Sequence, residues 1–297
     1  MKILISGSTG LVASHLIPTL TAKGHEIIKL VRKSSNSTDE IQWNAETGFS
    51  EAEFAKLESI DAVVHLAGDN VASENWSDDK KRKIRESRTV GTRVLVDSLA
   101  RLENPPKIFV SASAIGFYGN RGDEILTDDS PKGIGFFPEV CEAWETEAKK
   151  AEAFARVVCL RIGVILTKDG GALEKMLTPF KLGVGGVIGS GKQYMPWIAI
   201  DDIVGIFTFA IENEISGSIN TTAPNPVTNY DFTKTLGTVL NRPTFFPIPE
   251  FAIKLMFGEM GETLLLQGCR VIPKRIQELG YKFKFEKLED ALTHVLK

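Results

Sequence analysis

The sequence predicts a doubly wound α/β fold, in which helices cover both faces of a parallel sheet. Short, continuously apolar runs alternate with helix-length amphipathic segments over the first half of the chain, and strands of that kind are typical of a sheet buried on both faces. Beyond about Gly163 the pattern loosens into a Gly-rich run and several short helices. We therefore expect a sheet domain over 1–165, joined by segments from about 195–240, and a smaller, mostly helical region over 166–194 and 241–297.

The elements follow in order along the chain. The predicted strands are KILIS (2–6), EIIKLV (26–31), AVVHLAG (62–68), KIFVSAS (107–113) and RVVCLRIGVIL (156–166). The first helix is predicted directly after the first strand and closes near Gly24. The strongest helix is predicted over 77–102, where apolar residues recur at helical spacing on one face.

Composition excludes several classes of protein. With 35 basic and 38 acidic residues the net charge is −3, so no overall field favours nucleic acid or an anionic membrane. The three cysteines are widely spaced and form no CxxC pair, which argues against a disulfide framework or a zinc site and for a reducing compartment. We expect a cytoplasmic protein with no metal, no membrane partner and no nucleic-acid partner.

The sharpest motif is ISGSTGLVA, residues 5–13, at the turn from the first strand into the first helix. Gly7 would permit a tight turn, Gly10 would let the backbone approach phosphates, and Ala13 would allow close helix–strand packing. Helix N-terminal N–H groups at this position of a parallel sheet bind pyrophosphate. The motif predicts a nucleotide-binding, Rossmann-type domain.

The end of the second strand indicates which dinucleotide is bound. NAD requires an acidic residue there, but the sequence has Arg32 and Lys33. A guanidinium forms paired, charge-assisted hydrogen bonds with a 2′-phosphate. NADP(H) is therefore favoured over NAD(H), and the alternative is a solvated basic pair in a loop.

These residues resemble a known group of proteins. GSTGLVA (7–13), HLAG (65–68), SRTVGT (87–92) and SASAIGFYG (111–119) are similar to the extended and atypical short-chain dehydrogenase/reductase superfamily. Three later stretches, 185–202, 241–260 and 264–283, resemble its nucleoside-diphosphate-sugar-epimerase-like branch with an extra C-terminal segment. Some members of that branch carry a cell-division-inhibitor label. The resemblance covers essentially the whole chain.

The resemblance implies cofactor contacts at matching positions. Those expected along the phosphates are Gly7, Thr9, Gly10, Leu11 and Val12. Leu66, Ala67 and Gly68 would run past the adenosine ribose toward the nicotinamide, which Ile165 would border, although core packing is the alternative for Leu66, Ala67 and Ile165. Arg88 stands where many relatives have an asparagine that faces the cofactor.

The superfamily's catalytic pair is absent from its expected place. A Tyr-x-x-x-Lys pair should follow the SASAIGFYG stretch by some two dozen residues, with the lysine lowering the tyrosine pKa. Phe137 and Cys141 occupy those positions, and Glu145 lies one turn further along the same helix face. Phenylalanine has no hydroxyl, and cysteine supplies no cation.

Other residues could carry the chemistry. Ser113 and Tyr118 lie at or just beyond the fifth strand and are the best polar candidates. Cys141 could be a thiol activated by a helix N-terminus, but no histidine lies near it in sequence. Tyr230 and Lys234 repeat the Tyr-x-x-x-Lys spacing in a late helix, which we interpret as coincidence.

Two near-motifs are interpreted as structural. GVIGSGKQ (186–193) lacks the Ser or Thr of a phosphate-binding P-loop and would be a flexible loop over the site. KKRK (80–83) begins an amphipathic helix rich in acids, so a solvated face is expected.

Two functions remain open. The first is an NADP(H)-dependent oxidoreductase or epimerase-like enzyme that acts on an unknown small molecule. The second is an NADP(H)-binding protein, structural or redox-sensing, with little turnover. Phe137 and Cys141 favour the second, whereas the WIAIDD stretch (197–202) and the Gly-rich loop favour the first.

Overall fold

A computed structural model describes residues 1–33 and 37–297. Its strands are β1 Lys2–Ser6, β2 Glu26–Val31, β3 Glu40–Gln42, β4 Ala62–His65, β5 Ile108–Ala114, β6 Ile125–Leu126, β7 Arg156–Ile162, β8 Val164–Leu166, β9 Tyr194–Met195, β10 Trp197–Ala199, β11 Gly217–Thr221, β12 Val227–Thr228 and β13 Arg270–Val271. Its helices are α1 Leu11–Ala22, α2 Glu51–Phe54, α3 Asp78–Leu99, α4 Phe136–Lys149, α5 Gly171–Lys181, α6 Ile200–Glu212, α7 Asn229–Leu240, α8 Glu250–Gly261, α9 Lys274–Glu278 and α10 Leu288–Leu296.

The central sheet has seven strands in the order β11-β7-β5-β4-β1-β2-β3, and every neighbouring pair is parallel. Helices α1 and α6 cover one face of the sheet, while α3 and α4 cover the other. The predicted doubly wound α/β fold is confirmed. The strand order reverses between β1 and β4, and ligands of such sheets bind at that point, beyond the carboxyl ends of the strands.

Two strands of the sheet and one break differ from the sequence prediction. β3 (EIQ) and β11 (GSINT) were not predicted, because both are short and polar and are defined by pairing with β2 and β7. The predicted strand 156–166 divides at Gly163. A Cβ there would lie 2.6 Å from the carbonyl oxygen of Pro196, so β8 leaves the main sheet and pairs with β10.

The later part of the chain forms its own layer beside the sheet. Helices α5, α7 and α10 pack with β8 and β10 around Trp197 and Phe232. β11 and α6 belong to the sheet and its helical cover. The exact division into domains stays a prediction.

Two buried carboxylates attach the C-terminal segment to the sheet domain. Asp128 accepts hydrogen bonds from the backbone N–H groups of Asn220, at 2.6 Å, and Arg275, at 3.0 Å. Asp202, within the WIAIDD stretch, accepts from those of Lys284 and Phe285, at 2.8 and 3.1 Å. Burial raises the pKa of both carboxyls, while these bonds oppose the shift.

In the described ranges 1–33 and 37–297, no helix has the length and apolar character needed to cross a membrane. Over the same ranges no group of three or more His, Cys, Asp or Glu side chains is placed to hold a metal ion. The basic run 80–83 is only partly solvated. Lys80 is buried and pairs with Asp69, whereas Arg82 and Lys83 are exposed.

Candidate functional site

The glycine turn lies at the carboxyl end of β1, next to the chain that leaves β4. Gly7 has a φ of +65°, and a Cβ there would stand 2.8 Å from the carbonyl carbon of Leu66. The Gly10 N–H donates to the Gly7 carbonyl at 2.8 Å. Helix α1 then begins at Leu11, and Gly10 supplies no side-chain cap to its first N–H groups. Thr9 and Gly10 are exposed.

A buried serine–histidine pair fixes this close approach. Ser6 Oγ accepts hydrogen bonds from the N–H groups of Leu66 and Ala67, at 3.1 and 3.2 Å, and contacts His65 Nδ1 at 2.7 Å. His65 Nε2 lies 3.0 Å from Thr92 Oγ1. Burial lowers the pKa of His65 to about 4, so the ring is neutral at neutral pH. His65 therefore has a structural role.

Arg32 and Lys33 follow the end of β2 and are exposed. The hydroxyl of Ser8, in the glycine turn, donates to the Leu30 carbonyl at 3.4 Å. This bond places the end of β2 beside the glycine turn. Arg32 and Lys33 therefore follow a strand end that lies beside the glycine turn, and their contact with a 2′-phosphate stays a prediction.

Arg88 folds back from α3 onto the chain that leaves β4. Its Nη1 donates to the carbonyls of Asp69 and Ile84, at 3.1 and 3.0 Å, and its guanidinium lies 5.1 Å from the Trp144 ring centroid. A Cβ at Gly68 would lie 3.3 Å from its Cζ. Burial lowers the pKa of Arg88, and the nearby Cys141 and Asp69 oppose that shift. An arginine cation therefore stands beside the lysine position that Cys141 fills.

Phe137 and Cys141 lie on the face of α4 that packs against the turn after β5. A Cβ at Gly116 would meet Phe137 Cβ at 3.2 Å and Cys141 Sγ at 3.6 Å. The ring of Trp76 packs edge-on against Phe137, with the ring centroids 5.1 Å apart. Burial raises the pKa of the Cys141 thiol to about 12, which disfavours the nucleophilic thiolate at neutral pH. Both residues pack as apolar side chains.

Glu145, one turn further along α4, is locked into a buried ion pair. Its carboxylate accepts from Arg161 Nε and Nη2 at 2.8 and 2.9 Å, and from the hydroxyls of Ser113 and Ser218 at 2.8 Å each. Burial alone would raise the pKa of Glu145, but these bonds hold it below its usual range. Ser113 therefore donates its hydroxyl to a carboxylate that has a structural role.

Tyr118 belongs to the same network and is fully buried. Its hydroxyl lies 2.6 Å from Asn220 Oδ1 and 2.9 Å from the Thr127 carbonyl, and it accepts from Arg161 Nη1 at 2.9 Å. Burial raises the pKa of Tyr118 to about 12. Catalytic roles for Ser113 and Tyr118 stay untested predictions, and their placement favours structural roles.

The remaining candidates lie in the layer that the later part of the chain forms beside the sheet. Ile165 is in β8 and half-buried. Lys234 donates to the carbonyl of Thr244 at 3.0 Å, and Tyr230 is exposed beside it. The loop 186–193, expected to be flexible, is tied down by a bond from the Ile188 N–H to Asn229 Oδ1 at 2.8 Å and by the Gly189 N–H to the Ile248 carbonyl.

Sequence reasoning missed Ser6 and Trp76 as parts of the site, and it did not pair Glu145 with Arg161. A signal existed for Ser6, since β1 and β4 are neighbours and their register places Ser6 opposite His65. We find no comparable signal for Trp76, which precedes α3 and reaches α4 through the tertiary fold.

A parallel sheet whose strand order reverses, with a glycine turn at the point of reversal, defines a Rossmann-type protein. Residues 3–223 match the model of the NAD dependent epimerase/dehydratase family, and 248–295 match a domain of unknown function, DUF1731. The chain belongs to the NAD dependent epimerase/dehydratase family.

Two relatives match this chain over nearly their full length, and a third matches over part of its own. An epimerase family protein of Mycobacterium tuberculosis is 39% identical over 98% of this chain and 96% of its own length. The crystal structure of human epimerase family protein SDR39U1 with NADPH has a TM-score of 0.90 and 34% identity, over 99% of each chain. A nucleoside-diphosphate sugar epimerase from Corynebacterium glutamicum has a TM-score of 0.82 and 35% identity, over all of this chain and 58% of that one.

Proposed function

We propose that this chain binds NADP(H) beyond the carboxyl ends of β1 and β4 and transfers hydride between the nicotinamide and a small molecule. The observation that carries the proposal is the contact between Gly7 and Leu66, fixed by Ser6, next to the uncapped start of α1. The turn 7–10 and the first N–H groups of α1 form a backbone cradle, which fits a pyrophosphate. The human relative solved with NADPH supports the same cofactor.

The proposed cofactor contacts follow the sequence prediction. The phosphates would lie along Gly7, Thr9, Gly10, Leu11 and Val12, and the remainder would pass Leu66, Ala67, Gly68, Arg88 and Ile165. Gly68 is exposed and has Arg88 behind it. That arrangement lets the backbone meet the cofactor while the guanidinium supplies a positive charge beneath it.

Arg32 and Lys33 would select the 2′-phosphate. We expect Arg32→Ala to weaken NADPH binding by about 1.5–3 kcal/mol, the range for hydrogen bonds to charged groups, and to leave NADH binding nearly unchanged. Fluorescence titration with both cofactors measures this difference. Arg82→Ala, which removes an exposed arginine paired with Asp79, is the matched control. Equal losses for the two cofactors would rule out the assignment.

The chemistry would depend on position and charge. NADPH, when bound, supplies a hydride from C4 of the nicotinamide. A hydride that reaches a carbonyl carbon forms a C–H bond and leaves an alkoxide, which must take up a proton. Phe137 has no acidic proton and Cys141 is buried with a raised pKa, so we propose that water supplies the proton. Arg88 would stabilise the developing negative charge.

The second candidate is an NADP(H)-binding protein with little turnover. Trp76 packing on Phe137 and the ion pair that holds Glu145 favour it. Phe137→Tyr combined with Cys141→Lys restores the missing pair, and Arg88→Asn added to it removes the cation that would repel the new lysine. Deuteride transfer from C4-labelled NADPH to a panel of small carbonyl compounds separates the candidates.

We expect the wild type to transfer deuteride, with a faster rate in the triple variant. Transfer by neither protein, while both bind NADPH, would favour the binding-only function. The cytoplasmic location remains a prediction from cysteine usage. A role in cell division, which the sequence resemblance attaches to some members of the branch, forms no part of the proposal.

A further inference from the structure

Arg270 has an unusual place in the C-terminal segment. It lies in β13, which pairs with β6 in parallel, Arg270 opposite Ile125. Its neighbours Cys269 and Val271 are buried against Tyr118 and Leu126. Because side chains alternate along a strand, Arg270 extends from the opposite side of β13.

The guanidinium of Arg270 is half-buried and lacks a counter-ion. Within residues 1–33 and 37–297, no carboxylate lies within 4.0 Å of it, and its Nε is shut off from solvent without an acceptor. Its described contact is with the ring of Tyr194, 5.2 Å from Cζ to the centroid. A cation–π contact of this kind stabilises the charge but leaves the N–H donors unused.

The other buried or half-buried arginines of the described ranges have acceptors, including Arg121 at Glu124 and Arg275 at the Ser218 carbonyl. Arg161 donates to Glu145. Arg156 donates to backbone carbonyls at the end of α6 and beyond it, and Arg88 donates to those of Asp69 and Ile84. A half-buried guanidinium that has lost water without gaining acceptors is therefore an exception in this fold.

Tyr194 and Arg270 stand at the edge of the sheet where ligands bind. Tyr194 begins β9. β10 follows after Pro196 and pairs with β8 just after the carboxyl end of β7. The backbone of Gly268 packs directly on Tyr194, since a Cβ there would lie 2.5 Å from the Tyr194 carbonyl oxygen. The loop after β5 holds the same point, because the Arg121 N–H donates to the Gly268 carbonyl at 3.1 Å.

We propose that Arg270, stacked on Tyr194, binds an anionic group of the substrate, a carboxylate or a phosphate. The planar guanidinium presents paired donors that match two oxygens of either group, and the Tyr194 ring holds the fork by one face. The substrate class is thus a small acidic molecule, held by the C-terminal segment at β13 with its reacting carbon toward the cofactor. This inference rests on the proposed function and deepens it.

The test is a calorimetric titration of the NADPH-saturated protein with inorganic phosphate and, separately, with benzoate. Chloride keeps the ionic strength constant. We expect saturable binding of at least one anion, weakened about tenfold to a hundredfold in Arg270→Gln and less in Arg270→Lys. Arg93→Gln, which removes an exposed arginine of α3, should bind as the wild type does.

The two anions distinguish the source of the negative charge. Binding of phosphate points to a phosphate ester, and binding of benzoate points to a carboxylate. No saturable binding by the wild type, or an equal loss in Arg93→Gln, overturns the subsite. NADPH affinity is measured in the same samples and is expected to be unchanged in Arg270→Gln. If the wild type binds NADPH but neither anion, the subsite is overturned and the proposed function stands. If the wild type does not bind NADPH, the proposed function is overturned.

Discussion

The edge of the sheet at β1 and β4 and the N-terminal part of α4 differ in the functional groups that they retain. At the first, Gly7, Ser6 and His65 hold a backbone cradle with free donors. At the second, Phe137 and Cys141 are packing residues and Glu145 is bound to Arg161. Binding geometry and proton-transfer groups are therefore separable parts of this fold, and each can be perturbed without the other.

The largest effect is expected on α4. Glu145→Ala leaves Arg161 charged and unpaired in a buried site, which should cost about 3–5 kcal/mol of unfolding free energy. Urea denaturation measures the loss. Glu145→Leu combined with Arg161→Met removes both charges and should recover most of it. If the single and double variants are equally unstable, the uncompensated charge of Arg161 is not the cause of the loss in unfolding free energy.

The second-largest effect concerns the edge of the sheet at β1 and β4, and it is the dependence of protein stability on pH. His65 has a pKa of about 4 in the folded protein against 6.5 ordinarily, so the unfolded chain takes up a proton first as the pH falls. Stability should therefore decrease by about 3 kcal/mol between pH 6.5 and 4, with no further loss from this group below pH 4. Thermal or urea unfolding across that range measures it. His65→Gln should be less stable at pH 7 and should lack this part of the slope.

The smallest effect compares two glycines. Gly7 and Gly24 both have positive φ, +65° and +83°, but a Cβ at Gly24 meets nothing within 4 Å. Gly24→Ala should cost about 1 kcal/mol from strain alone, and Gly7→Ala about 2 kcal/mol. NADPH affinity should fall only in Gly7→Ala. A similar loss of NADPH affinity in Gly24→Ala would mean that the affinity follows overall stability and not the geometry of the turn at Gly7.

Sequence reasoning identified the cradle well because its signal is local. Gly7 and Gly10 lie within one turn, between a clear strand and a clear helix, so their spacing alone indicates their geometry. The strands were found wherever they are continuously apolar. β3 and β11 were missed because both are short and polar, and their pairing with β2 and β7 is what defines them as strands.

The network around Tyr118 shows the opposite limit. Ser113 lies near the end of β5 and Tyr118 lies just beyond it, and the sequence can indicate no more than this. Whether their hydroxyls face a substrate depends on Glu145 and Arg161, which approach from α4 and β7. Long-range ion pairs of this kind leave no periodic signal, so the structural placement of both residues was not foreseen.

The carboxylates Asp128 and Asp202 have a consequence for synthesis of the chain. Asp128 waits for a backbone N–H at Arg275, 147 residues later, and Asp202 for those at Lys284 and Phe285, 82 and 83 residues later. These contacts cannot form before Arg275, Lys284 and Phe285 have been synthesised. The segment that carries Arg270 is therefore fixed in place late, whereas every residue of the glycine turn is available long before.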